Sequence, residues 1–120
     1  MNMILFVLPI KTVNPLNRRE HWSKRAKRAR EHRNMAMLYT RLLAPPIWRK
    51  GEKMPTILLT RLAPRRMDLH DGVPAACKPV VDGIADALGI DDQHLRIQYA
   101  YEKSKTCGVR VEVLAEGEGF

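Results

Sequence analysis

The sequence has few cysteines and no long apolar run, and each shortage excludes a class of protein. Its two cysteines, Cys77 and Cys107, are far apart and have no metal-ligand residues beside them, so a disulfide-rich or zinc-bound domain is not expected. The longest apolar run, residues 3–10, falls short of the roughly 18 residues that a membrane span needs. It also lacks the basic segment and the small-residue cleavage site of a signal peptide. We therefore expect a cytoplasmic protein with reduced thiols and no membrane partner.

Acidic residues are scarce in the first half of the chain. Residues 1–66 contain three acidic residues against 16 Lys and Arg, whereas residues 67–120 contain ten against five, and the formal net charge is +8. A basic segment attracts polyanions because their counterions are released. Carboxylates in the same protein oppose that attraction unless they bind something positive. The division of charge therefore indicates metal-assisted chemistry on a nucleic acid.

The length of 120 residues suits one domain, which we expect to span residues 1–120. Apolar runs and turn signals predict strands at residues 3–10, 55–63, 95–103 and 109–114, the last two as a hairpin. A helical period predicts a first helix over about residues 19–43, with Trp22 in the core. The order β-α-β-α-β-β indicates an α+β domain with two main helices and a mixed sheet of about four strands.

The second helix ends at Gly89, which suits a C-cap, but its start is ambiguous. Pro74 suits a first turn, whereas Pro79 inside a helix removes a hydrogen bond and kinks the axis. The helix is therefore either kinked at Pro79 or begins there after an irregular turn, and we favour the second alternative.

Four aspartates flank this second helix: Asp68 and Asp71 precede it, and Asp91 and Asp92 follow it. Carboxylate sites without His or Cys suit Mg²⁺ or Mn²⁺, and such ions activate water and stabilise charge during phosphodiester hydrolysis. A helix of about 10 to 14 residues is about 15–20 Å long. The two pairs therefore share a metal ion only if the following chain returns or if they meet across a dimer interface. The structural alternative is that Asp71 caps the helix and Asp91 and Asp92 form a solvated turn.

Basic residues form two groups that favour contact with phosphate. Between residues 18 and 33, eight of sixteen residues are Lys or Arg, a density that indicates backbone contacts, with a solvated helix face as the alternative. The residues that we predict to bind nucleic acid are Lys24, Arg25, Lys27, Arg28, Arg65 and Arg66. Lys78 lies in the acidic half and either holds a phosphate or pairs with Asp82 four residues later. Trp48, in a polar connector, is a candidate for stacking on an unpaired base or for anchoring its loop.

The run RRMDLHDGVPAACKPVVDGIADALGIDDQHLRI resembles the signature of the RusA-type Holliday-junction resolvases, small endodeoxyribonucleases common in prophages. The shared features are an arginine, closely spaced aspartates, a lysine further on, a DGI-x-DALG-type helix and a paired Asp-Asp. The segments LPIKTVNPLNRREHW and YEKSKTCGVRVEVL extend the similarity over nearly the whole chain.

The resemblance implies a homodimer that binds four-way DNA junctions during recombination and repair, and that cuts two opposed strands symmetrically with Mg²⁺. Asp68 and Asp71 fall at the family's first aspartate cluster, Asp92 at the second member of its Asp-Asp pair, and Lys78 at its essential lysine. The family usually has Asp-x-Asp-Asn, whereas the aspartates are three apart here and His70 lies between them. His70 is either a replacement ligand or an exposed loop residue. The competing functions are a non-catalytic nucleic-acid-binding protein and a nuclease acting on other branched DNA or on RNA.

Overall fold

A computed structural model describes residues 3–14, 21–43, 56–91, 93 and 95–113. Its elements, in chain order, are β1 (Met3–Leu8), α1 (Trp22–Leu43), β2 (Thr56–Ala63), α2 (Gly72–Leu88), β3 (Arg96–Lys103) and β4 (Gly108–Val113). This order and the mixed four-stranded sheet confirm the expected α+β fold.

The sheet has the strand order β1-β4-β2-β3, in which β2 and β3 are parallel and β4 is antiparallel to both β1 and β2. Strands β1, β2 and β3 therefore run in one direction. Their last residues, Leu8, Ala63 and Lys103, lie along one edge of the sheet, which we call the carboxyl edge. Helix α2 begins on this edge because it follows β2, and the chain leaves the same edge after β1 on its way to α1.

The predicted hairpin between β3 and β4 is wrong, because β2 lies between these two strands. Strand β4 is buried on both faces, and Val109 and Val111 are fully covered, which requires a central position in the sheet. Strand β3 is mostly half-buried or exposed, as an edge strand is. The connection between them crosses the end of β2, where the Ser104 N–H donates to the Ala63 carbonyl at 3.0 Å.

Helix α2 begins at Gly72 rather than at Pro79, so the favoured alternative at this proline is also wrong. Val73, Cys77, Val80 and Ile84 form one stripe at helical spacing, and each is at most 1% exposed. Burying an apolar side chain contributes about 1.5–3 kcal/mol, so the stripe outweighs the roughly 3 kcal/mol that an interior proline costs. The apolar surface on both sides of Pro79 therefore keeps the helix continuous.

Helix α1 covers α2 but does not bury Trp22, which is 68% exposed, so that core prediction is wrong as well. Trp22 opens the helix, and its ring lies 5.5 Å from that of His21 instead of reaching the core. Further along, Ala36 is fully buried, and the ring of Tyr39 meets Phe6 of β1 edge-on at 5.6 Å. The buried residues of α1 are thus His32, Ala36 and Thr40, whereas Leu42 and Leu43 at its end are exposed.

We expect Gly83→Ala to lower the free energy of unfolding by about 2–3 kcal/mol. A Cβ atom at this position would lie 2.3 Å from the carbonyl oxygen of Arg33 and 2.8 Å from Cβ of Ala36, so the two helices would have to separate. Gly89→Ala is the control, because its Cβ would meet nothing within 4 Å and only its φ of 69° opposes the change. Urea unfolding of both variants checks this. An equal or smaller loss for Gly83→Ala would contradict such close helix packing.

Candidate metal and nucleic-acid site

Asp68 and Asp71 lie in the turn that leads into α2 on the carboxyl edge, and both are exposed. Oδ1 of Asp68 accepts a hydrogen bond from the His70 backbone N–H at 2.9 Å, and its carbonyl accepts from the Val73 N–H at 2.7 Å. Asp71 stands at the N-cap position, but its side chain makes no capping hydrogen bond. The Asp71 carboxylate therefore does not cap the helix, as the structural alternative supposed. The positive end of the helix dipole still favours a negative charge at this position.

Close packing around Gly72 fixes the position of this turn. Gly72 is packed so closely under Met67 that a Cβ would lie 2.6 Å from Cγ of that side chain, and the Asn14 amide nitrogen would lie 3.5 Å from it. The segment after β1 therefore adjoins the start of α2. A Cβ at position 72 would force the Met67 side chain to move, so the packing favours glycine there.

Arginines lie on the same edge, just ahead of the aspartates. Arg65 and Arg66 are exposed, and Nη1 of Arg61 donates to the Arg65 carbonyl at 2.5 Å. The guanidinium carbon of Arg66 lies 5.9 Å from the centre of the Tyr101 ring. Arg61 was not singled out in the sequence, although a cation on the same strand face as Ile57 and Leu59 is a recognisable signal.

The basic turns of α1 lie beside the first half of α2. A groove of about 370 Å³ separates the two helices, and its lining includes Trp22, Arg25, Arg28, Ala75 and Pro79. The side chains of the other two predicted contacts on α1, Lys24 and Lys27, are exposed. Within the groove, burial and the charge of Arg28 lower the pKa of His32. The predicted phosphate contacts on α1 thus share one side of the molecule with the Asp68–Asp71 turn.

Lys78 is paired rather than directed at the aspartate turn. Its Nζ lies 2.9 Å from Oδ1 of Asp82, which is the i,i+4 ion pair that the sequence offered as the alternative. Lys78 nevertheless lies seven residues after Asp71, on the same helical face and about 10 Å along the axis. The next acidic residue of α2 is Asp86, whose carboxylate accepts hydrogen bonds from Nε and Nη2 of Arg33. These hydrogen bonds lower the pKa of the Asp86 carboxyl.

Asp91 lies at the far end of α2 from Asp71. The helix has 17 residues and is therefore about 25 Å long. Oδ1 of Asp91 accepts from the Gln93 N–H at 3.0 Å, which fits the solvated-turn alternative. Asp92 lies outside the described residues, as does Trp48.

The chain after Asp91 returns to the carboxyl edge through β3, but Asp91 itself precedes this strand and lies away from that edge. Among the residues that the structure describes, no group of three or more His, Cys, Asp or Glu side chains is placed to hold a metal ion. One copy of the chain thus places Asp68 and Asp71 in the same turn, and leaves Asp91 at the opposite edge.

Comparison with known proteins gives a relative but no activity. No family model matches the chain. An uncharacterized protein of Xylella fastidiosa is 33% identical over an alignment of 99 residues that covers 78% of this chain and 61% of the relative. The chain therefore spans about three fifths of that relative's length. None of the helices in the described part of the chain has the length and apolar character that crossing a membrane requires.

Proposed function

We propose that this protein is a Mg²⁺-dependent, structure-selective endodeoxyribonuclease that resolves four-way DNA junctions by symmetric phosphodiester cleavage, as the RusA-type resolvases do. The main support is that the exposed carboxylates of Asp68 and Asp71 share the carboxyl edge with Arg65, Arg66 and the basic turns of α1. Ligands commonly bind at the carboxyl ends of strands in α/β sheets. A carboxylate pair beside a basic surface suits a metal ion and a phosphate together.

The donor set at this turn fits the ion. Asp68 and Asp71 offer carboxylate oxygens only, and Mg²⁺ takes one or two carboxylates and keeps several waters, with Mn²⁺ as a substitute. When bound, the ion supplies an activated water and stabilises charge on the phosphate. Asp68 is oriented for this role by the hydrogen bond from the His70 N–H, and Asp71 by its place at the start of α2. No organic cofactor is needed for this chemistry.

A third carboxylate comes from a second copy of the chain. Asp91 is separated from Asp71 by the length of α2, about 25 Å, so the Asp91–Asp92 corner of one copy completes the Asp68–Asp71 site of the other. This is the dimer alternative that the sequence left open. A two-fold dimer has two equal sites, which suits the two equal strands of a junction.

Incubation with a synthetic four-way junction tests the proposed activity. With Mg²⁺ we expect paired nicks at symmetric positions in two opposed strands, and no cutting in EDTA or of a linear duplex of the same sequence. Junction DNA that is shifted in a gel but stays intact would instead support a non-catalytic binding protein. Equal or faster cutting of flaps or of branched RNA would contradict selectivity for junctions.

Lys78→Ala is expected to slow cleavage by about 10- to 100-fold and to weaken junction binding much less. The ammonium is 2.9 Å from Asp82 in the free protein and exchanges that partner for the phosphate when DNA binds. Single-turnover cleavage and gel-shift titration separate the two effects. Asp82→Asn is the matched control, because it removes the ion pair and keeps the ammonium, so its cleavage rate should not fall. A larger loss in binding than in rate for Lys78→Ala would make the lysine a simple phosphate contact.

A further inference from the structure

Arg61 is a buried cation without an acidic partner among the described residues. It lies near the end of β2 on the face that carries Ile57 and Leu59, and only 8% of it is exposed. Nε donates to Oγ1 of Thr12 at 2.9 Å, and Nη1 donates to the Arg65 carbonyl at 2.5 Å. Both acceptors are neutral. Burial of a charge without a counter-charge is costly, so this arrangement needs an anion to balance it.

The neighbouring side chains do not supply that anion. The nearby Cys77 thiol stays neutral, because burial raises its pKa to about 12 although the charge of Arg61 opposes the rise. On the neighbouring strands, Glu102 and Glu112 both form ion pairs with Arg110, at 3.0 and 2.8 Å. Within the described part of the chain, no ion pair joins Arg61 to Asp68 or Asp71.

A second guanidinium lies against the same aromatic ring. The guanidinium carbons of Arg61 and Arg66 lie 6.0 and 5.9 Å from the centre of the Tyr101 ring. The Tyr101 hydroxyl donates to the Ala63 carbonyl at 2.9 Å, which fixes the ring at the end of the β2–β3 pair. Such cation–π contacts are weak and supply no counter-charge to either cation. An anion bound by both arginines supplies that counter-charge.

We propose that Arg61, Arg66 and Tyr101 form a phosphate-binding site, and that its ligand is a phosphodiester of the bound nucleic acid next to Asp68 and Asp71. The identity of the ligand rests on the proposed nuclease function, whereas the anion site rests on the buried charge. Arg61 presents its remaining N–H groups from a position fixed by Thr12 and the Arg65 carbonyl, and the exposed Arg66 closes on the phosphate. Two guanidinium forks suit the oxygens of a phosphate better than point charges do.

Thermal unfolding with inorganic phosphate tests the anion site without DNA. The unfolding midpoint of the wild-type protein should rise with phosphate and saturate, compared with chloride at equal ionic strength and pH. Arg61→Met should unfold at the same or a higher temperature without phosphate, because an apolar side chain of similar length replaces an unbalanced charge. Its midpoint should no longer respond to phosphate.

Arg66→Met and Arg96→Met complete the series. Arg66 is exposed, so its loss spares the fold and should weaken phosphate binding by about 10- to 100-fold. Arg96 is an exposed arginine at the other end of β3, and its replacement should leave the phosphate response unchanged. A folded Arg61→Met protein that phosphate still stabilises would overturn the anion site. If Arg61→Met does not fold, an unchanged response of Arg66→Met overturns it.

Junction DNA identifies the source of the phosphate and separates this site from the nuclease activity. Arg66→Met should lower the slope of log affinity against log salt by about one, as the loss of one phosphate contact does. Unchanged DNA affinity and slope beside a lost response to inorganic phosphate would assign a free phosphate instead, and overturn the phosphodiester. An Arg61-dependent phosphate response without any cleavage would sink the nuclease and leave the anion site. Junction cleavage together with a wild-type phosphate response in Arg61→Met and Arg66→Met would overturn the anion site and leave the nuclease.

Discussion

Asp71→Asn is expected to slow junction cleavage by about 1,000-fold while junction binding stays as tight or becomes tighter. A metal ion supplies several kcal/mol of transition-state stabilisation, and each 1.36 kcal/mol is a factor of ten in rate. The Asp71 carboxylate is exposed and makes no capping hydrogen bond, so asparagine keeps the shape and removes only the charge. Loss of a negative charge beside DNA reduces repulsion. Single-turnover cleavage with Mg²⁺, and gel shifts in EDTA, measure the two quantities separately.

Asp86→Asn is the matched control for charge, because it removes a carboxylate from the same helix. Asp86 is bound by Arg33 on α1, away from the aspartate turn, so its replacement should leave the cleavage rate within about twofold of wild type. Both asparagine variants should fold, since asparagine is also a good N-cap residue at position 71. Cleavage by Asp71→Asn at the wild-type rate would remove Asp71 from the metal site.

The type and order of the elements were predictable because hydrophobic periodicity is a local signal. The position of β4 was not, since neighbouring strands usually pair and a hairpin was the simplest connection. The sequence did contain a hint, because Gly108 and the valines 109 and 111 suit a strand covered on both faces. The start of α2 was misjudged for a related reason. A proline rule is local, whereas the stripe from Val73 to Ile84 stabilises the helix through tertiary burial.

The candidate site was predictable in its chemistry but not in its completeness. Residue types identified the carboxylates, and helix length alone predicted that a straight helix would keep the two aspartate pairs apart. The sequence offered two roles for Lys78, holding a phosphate or pairing with Asp82 four residues later. The free protein forms the ion pair with Asp82. The burial of Arg61 depends on Thr12, in the segment after β1, and on the position of α2, which only the fold supplies. Local spacing finds candidate ligands, whereas burial decides which charges lack partners.

Mixing Asp71→Asn with Asp92→Asn protein is expected to restore cleavage that neither variant has alone. If Asp71 of one copy and Asp92 of the other share a site, a mixed dimer has one fully wild-type site and one site with both substitutions. Random assortment of equal amounts makes about half of the dimers mixed. Each mixed dimer should nick one strand of a junction, without the paired nick of the wild-type protein. Co-refolded proteins and labelled junction strands make this visible on a denaturing gel.

A double variant, Asp71→Asn with Asp92→Asn, mixed with wild-type protein gives the opposite test. When the sites are shared between copies, each site of this mixed dimer carries one substitution, and the dimer should be inactive. When both carboxylates act within one chain, the same dimer keeps one intact site and nicks one strand. If sites are shared between copies, only the mixed dimers of the first mixture are active. If each site lies within one chain, only those of the second mixture are active. The length of α2, about 25 Å between Asp71 and Asp91, favours activity in the first mixture and none from the mixed dimers of the second.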